Sequence, residues 1–194
     1  MKPYQQGTID YFCGAYAVIN AFRHAARGRA ELSYTDGCAF YQYLIKRLIK
    51  FDRFEEVLCR GTDAELLKKL LKKADGYVRR KYGLKIVFSA PYADTDKDVL
   101  TAVDEIGKFL KQDDTAWLLR MNNKALGDHW SVATTVYSNG KVALFDSYGA
   151  KSFDANKAVW TPPVKEKDRT SDNPSGMPIP PRGKTMLLKE GQFL

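Results

Sequence analysis

Cys13, His129 and Asp146 are the residue types that could together carry nucleophilic thiol chemistry in this 194-residue chain. Cys13 opens the run CGAYAVINAFRHAAR, residues 13–27, which is rich in alanine and apolar residues and is followed by Gly28 as a stop signal. This reads as a helix, with Asp10 as its expected cap. A helix N-terminus gathers unpaired amide donors and the positive end of the dipole, an environment that favours a thiolate. Gly14 and Ala15 are small enough to let a substrate approach the sulfur. Taken alone, the same cysteine reads equally as a small buried hydrophobe.

The chain has two histidines, so the partner base is His24 or His129. His24 follows Cys13 by eleven residues on the same expected helix, roughly 16 Å along its axis, too far for proton transfer. His129 follows Gly127-Asp128 and opens an apolar strand, HWSVATTVY. Asp146 comes 17 residues later, at the end of the next strand, KVALFDS. Ser138-Asn139-Gly140 joins the two as a hairpin. A two-residue turn would pair Ala133 with Asp146 and leave His129 about 13 Å away along the strand. A four-residue turn would put Asp146 opposite Ser131, with His129 as its diagonal neighbour on the same face. The triad therefore requires the longer turn or a bulge. Without it, Asp146 reads as a turn-capping residue before Ser147-Tyr148-Gly149.

In such a triad the thiolate attacks a carbonyl carbon. The imidazole holds the thiolate as an ion pair and protonates the leaving group, and the carboxylate orients the imidazole. The developing oxyanion needs donors. The Cys13 backbone N–H is one, and Gln6 or Gln5 is the candidate second. Trp130 either lines the site or packs beneath the hairpin.

Gln6, Cys13-Gly14, Ala17, His129-Trp130-Ser131-Val132 and Leu144-Phe145-Asp146-Ser147 together resemble the papain-like cysteine peptidase superfamily. The bacterial branch of bacteriocin-leader peptidases is the most similar in length and spacing. The resemblance covers about 50 residues in two blocks and leaves 30–112 unmatched. It implies thiol chemistry on a peptide, amide or isopeptide bond. It supports Cys13 as nucleophile, His129 as base and Asp146 as orienter. In the superfamily a glutamine lies six residues before the cysteine. Here Gln6 lies seven before and Gly7 holds the sixth place, so Gln5 stays in view beside Gln6 as oxyanion donor.

The elements that must position these residues read as helices first and strands last, an α+β order. Further helices are expected over 36–50, with Phe40, Tyr43, Leu44 and Leu48 on one stripe, and after a Thr62/Glu65 capping box as far as Ala74, with a resumption past Gly76. A strand over 84–88 and a helix over 94–112 follow, then strands at 116–121, 129–137 and 141–147. The expected fold is papain-like: a helical part bearing Cys13, packed on a twisted antiparallel sheet. Residues 1–160 read as the catalytic domain. Residues 161–194 read as an arm holding six prolines among its charges from 161 to 183, ending in a possible edge strand. That arm could also cross the cleft as a lid.

Composition excludes several classes. At 44% hydrophobic residues the chain can build a core. It has no apolar run of the ~18 residues a bilayer span needs, and its start lacks a signal-peptide apolar region. Three cysteines form no disulfide framework and no metal-ligand spacing, so the expected home is the cytoplasm, or outside it by signal-less export. The net charge of +8 attracts acidic partners, but no nucleic-acid motif accompanies it. The expected partner is a protein or peptide substrate, with no metal or organic cofactor. Acyl transfer, transglutamination or deamidation would use the same triad, as would an effector acting on another organism's proteins. A non-catalytic basic module for nucleic acid or an acidic protein is the other class, and an inactive relative that binds through the cleft is a third.

Overall fold

Small side chains let α1 (Cys13–Ala25) run through the interior, buried on almost every side from Cys13 to Phe22. The computed structural model describes residues 1–7, 10–91, 98–123 and 127–159, and the backbone of 186–193. Around α1 pack α2 (Tyr34–Lys50), α3 (Phe54–Arg60) and α4 (Ala64–Tyr82), followed by β1 (Ile86–Phe88) and α5 (Val99–Phe109). Then come β2 (Ala116–Asn123), β3 (Gly127–Val136), β4 (Lys141–Leu144), β5 (Ser152–Asp154), a 3₁₀ turn at Ala155–Lys157 and β6 (Met186–Phe193). The sheet order is β1-β6-β2-β3-β4-β5, antiparallel at every pairing.

The molecule is α+β, with helices on both faces of the sheet. Period-two alternation divides the core. Leu118, Trp130 and Val132 join α1, α2 and α4 on one face. Trp117, Leu119, Met121 and Ala133 join Val99, Ala102, Val103 and Ile106 of α5 on the other. Covered on both sides, β2 can afford the continuous apolar run AWLL.

Several boundaries differ from expectation. Ser33 caps α2 through a reciprocal bond pair with Asp36, so that helix starts at Tyr34 rather than 36. Thr62 does not cap α4: Asp63 does, accepting from the Leu66 amide. The helix passes through Gly76 unbroken because Leu70, Leu71, Ala74 and Val78 hold it on the core. α3 has no side-chain cap and only one buried residue, Val57, so its sequence carries no helical stripe. β6 is an interior strand, not an edge strand. It lies between β1 and β2 and satisfies the free side of β2 from Ala116 to Arg120. The rest of the arm, residues 160–185, and with it the lid idea, lies outside the described residues, as do 94–97 of the expected 94–112 helix.

Asp98 caps α5 by accepting from the Leu100 and Thr101 amides, far from Cys13 in sequence and on the opposite sheet layer. Asp98→Ala should cost about 1 kcal/mol and lower the thermal midpoint by roughly 2–4 °C. Circular dichroism melting checks this, with Cys13 alkylation unchanged from the native chain.

Candidate active site

Cys13 occupies the first position of α1. Phe12 is the N-cap residue, and its amide donates to Asp10 Oδ1 at 3.1 Å, so Asp10 ties down the approach to the helix rather than its first turn. The Cys13 sulfur lies 3.9 Å from the Tyr11 carbonyl oxygen, and the residue is buried. Next to it, a Cβ on Gly14 would stand 2.7 Å from Thr62 Cβ and Oγ1. Glycine is what lets Thr62 close on the helix start.

Thr62 also reaches the strand that bears His129. Its carbonyl accepts from Trp130 Nε1 at 2.6 Å. One residue thus holds both the neighbour of Cys13 and the neighbour of His129. Trp130 is only 1% exposed and belongs to the core, so of its two expected places it takes the packing one and not the wall of the site.

Asp146 reaches His129 through a bulge. The turn holds three residues, closed by the Tyr137 amide donating to the Lys141 carbonyl at 2.8 Å. Val136 faces Val142 and Thr135 faces Ala143. Continued unchanged, that register would set Asp146 opposite Val132, on the wrong face for His129. The register shifts between Ala133 and Thr135, so Ala133 faces Leu144. The Phe145 amide then donates to the Val132 carbonyl at 2.8 Å, which puts Asp146 opposite Ser131 and diagonal to His129. His129 Nε2 and Asp146 Oδ2 lie 2.6 Å apart, both residues almost fully buried. Asp146 Oδ1 accepts from the Tyr148 and Ala150 amides at 2.8 and 3.1 Å.

Burial alone would push the His129 imidazole toward neutrality. Hydrogen bonds to Asp146 and Cys13, with the charges of both, outweigh it and hold the pKa up at about 9. With Nε2 committed to Asp146, Nδ1 is the nitrogen left for the sulfur. Burial raises the Asp146 carboxyl, but the His129 hydrogen bond and charge, the nearby Ser131 hydroxyl and the Tyr148 amide bring it below its ordinary value. The arrangement can keep an imidazolium beside the thiol at neutral pH and pass its proton to a departing group.

The two glutamines divide. Gln6 Nε2 donates to the Asp10 carbonyl at 2.5 Å, and the Gln6 amide donates to the Ser147 carbonyl at 3.0 Å. Gln5 Nε2 donates to the Asp146 carbonyl at 3.5 Å. Tyr4, just before them, is locked to Asn20 of α1 by bonds of 2.8 and 3.1 Å. Gln6 thus bridges the segment entering Cys13 and the one leaving Asp146, where Ser147 Oγ also donates to its Oε1 at 3.4 Å, while Gln5 reaches only the latter. Thr8 and Ile9 lie outside the described residues.

Two residues escaped the sequence reading. The Tyr148 ring stands edge-on to His129, centroids 5.2 Å apart, with 41% of the residue exposed. Arg120 forks onto Asp128, the residue before His129. The available signals were an aromatic in the turn after Asp146 and one cation inside an apolar strand. His24 is held by Arg27, with Nε2 2.6 Å from the guanidinium, and burial and that charge lower its pKa to about 4. A shallow hollow lined by Asn139, Lys141, Ser152, Phe153 and Asp154 lies at the other end of β4, away from these groups. Among the described residues, no cluster of three or more His, Cys, Asp or Glu is arranged to hold a metal, and no helix is long and apolar enough to cross a membrane.

No protein-family model, curated protein or solved structure matches the chain.

Two predictions follow from this geometry. Gly14→Ala should push Thr62 away, at a cost of about 1–3 kcal/mol in denaturant melts, and slow Cys13 alkylation more than Asp98→Ala does. The second concerns pH. A pKa raised from 6.5 to about 9 makes the His129 contribution to stability complete below pH 6.5 and lost as pH rises through 9. The Asp146 contribution is complete above its ordinary 3.8 and lost as pH falls through its lower folded value. The stability gap between the native chain and His129→Gln should therefore be widest near pH 5–6 and shrink toward pH 9, as read from urea melts across that range.

Proposed function

We propose that the chain is a cysteine peptidase or related thiol amidohydrolase, built as a papain-like domain and acting on a protein or peptide. The observation that carries this reading is the buried His129–Asp146 pair at 2.6 Å, with Cys13 among the groups that hold the His129 pKa up. In the proposed cycle the Cys13 thiolate attacks the carbonyl carbon, and the carbonyl π electrons move onto oxygen. The Cys13 amide and a glutamine amide, Gln6 or Gln5, steady that oxygen. Collapse expels the amine, which takes the proton from His129 and leaves a thioester on Cys13. Water, deprotonated by His129, then releases the acid and restores the thiol.

Hydrolysis, acyl transfer to an amine and side-chain deamidation share the first half of this cycle. They differ in which nucleophile or amide enters, so the reading names the bond chemistry rather than one substrate. A cytoplasmic setting belongs to the same proposal, and the three described cysteines are free thiols. Exposed cations on α4, among them Lys69, Lys72, Lys73 and Arg80, favour a second role in attracting acidic partners.

Competition among the three thiols tests the reading. Cys59 is exposed and Cys38 half-buried, so accessibility alone ranks both above Cys13. With limiting iodoacetamide at pH 6.5, Cys13 should nevertheless be labelled first. His129→Ala should reduce its rate by roughly 10²-fold or more. Labelling ordered by exposure, with Cys59 first and His129→Ala without effect, contradicts the proposal.

A further inference from the structure

We propose that the seam between α2 and α4 is an exosite for an acidic segment of the protein substrate. Six cations without a carboxylate partner line it, and it starts at the end of the fold that holds Cys13. The inference rests on the thiol-enzyme reading and gives its substrate a chemistry.

Tyr43 of α2 and Tyr77 of α4 close the seam, ring centroids 4.8 Å apart, and the Tyr43 hydroxyl donates to the Lys73 carbonyl at 3.2 Å. Lys46, Arg47 and Lys50 follow Tyr43 at three, four and seven residues, so they share its side of α2. Lys73 and Arg80 stand four before and three after Tyr77 on α4, with Lys69 one turn earlier. All but Arg47 are exposed. The carboxylates of the two helices are engaged elsewhere: Asp36 by Lys81, Glu65 by Lys68 and Asp75 by Arg79. Among the described residues none of the six cations has an ion-pair partner. Arg47 lays its guanidinium over the Tyr43 ring at 4.5 Å, and its buried Nε has no hydrogen-bond partner.

Lys81 joins the end of α4 to Asp36 at the start of α2, so the two helices run antiparallel. The opposite end of the seam, with Lys50 and Lys69, is the Cys13 end. There Thr62, just before α4, packs at Gly14, and Phe54, just beyond α2, stacks on Phe12 at 5.6 Å. Lys69 lies roughly 8 Å along α4 from Ala64, and Arg80 roughly 16 Å beyond Lys69. About five residues of extended peptide cover that second distance. A run of carboxylates along such a peptide meets cations on both flanks of the seam, each pair a charge-assisted hydrogen bond. Nucleic acid would need a free aromatic face for its bases, and these are covered: Arg47 lies on Tyr43, and Tyr77 stacks on Phe40 at 4.6 Å. An anionic bilayer would need an apolar wedge among the cations. Ile49 is exposed, but it lies about 120° around α2 from Tyr43.

Fluorescence anisotropy of labelled octaglutamate on the full chain is the first test. The seam variant Lys46→Gln/Lys69→Gln/Lys73→Gln should bind about ten-fold more weakly, the combined effect of three exposed charge pairs. The control Lys111→Gln/Lys141→Gln/Lys151→Gln loses the same charge beyond α5 and at the β4–β5 edge, and should bind as the native chain does. The second test joins an iodoacetyl group to octaglutamate through a Gly-Ser linker. The Cys13 thiolate displaces iodide and forms a thioether, read on the Cys13 peptide by mass spectrometry. A docked peptide raises the local reagent concentration, so Cys13 should react at least ten-fold faster than with the iodoacetyl linker alone. The seam variant should lose that gain and the control should keep it. Equal octaglutamate binding by native chain and seam variant, or equal weakening in the control, would overturn the proposal. So would a tethered reagent that gains nothing, or tighter binding of octathymidylate or phosphatidylserine vesicles than of octaglutamate at the seam. Failure of the enzyme reading looks different: the untethered linker reagent would label Cys59 before Cys13 and ignore His129→Ala, whatever octaglutamate does.

Discussion

The account depends on one buried ion pair. Taking an imidazole and a carboxylate out of water is costly for each, and the site exists because each offsets the cost of the other. At 2.6 Å the hydrogen bond and charge of Asp146 hold His129 protonated against its burial. The Tyr148 and Ala150 amides hold Asp146 in turn. An imidazolium fixed in this way is what a thiol at a helix N-terminus needs beside it. Removing the carboxylate would leave a buried ring with no reason to stay charged.

That pair constrains the backbone to single-residue accuracy. Because side chains alternate along a strand, an odd shift in register sends Asp146 to the face that His129 does not use. The bulge between Ala133 and Thr135 supplies the needed shift. On the other side of the site, Thr62 clamps α1 to β3 by packing on Gly14 and accepting from Trp130. Gln6 ties the entry to α1 to Ser147, the residue after Asp146. Cys13, His129 and Asp146 come from distant parts of the chain, and each is held through its sequence neighbour. His129 Nε2 and Asp146 Oδ2 are left for one another.

Much of this was legible in the sequence, and the rest was hidden for physical reasons. Cys13 at a helix start followed from the alanine-rich run and its glycine stop. The partnership of His129 with Asp146 followed from hairpin geometry, but only conditionally, because Thr134-Thr135 carries no mark of a bulge. Thr62 looked like a cap because its type and its spacing to Glu65 fit one. Asp63, one residue on, competes for the same role and takes it. Trp130 was ambiguous since an indole suits a wall or a core equally, and a carbonyl from a loop 68 residues away decides it. The interior place of β6 depends on long-range pairing that local pattern does not encode. Arg120 passed unnoticed because its partner Asp128 faces it only once β2 and β3 are in register.

The ionisation of His129 tests the central claim most directly. Nitrogen-15 NMR of the ring, followed from pH 5 to 10 in the native chain, reads it without a substrate. The account predicts an imidazolium through neutral pH that titrates near 9, and a lower titration in Cys13→Ser, where the thiol's contribution is gone. A ring that titrates near 6.5 in both chains would contradict it, because His129 would then be an ordinary buried histidine with no hold on the sulfur.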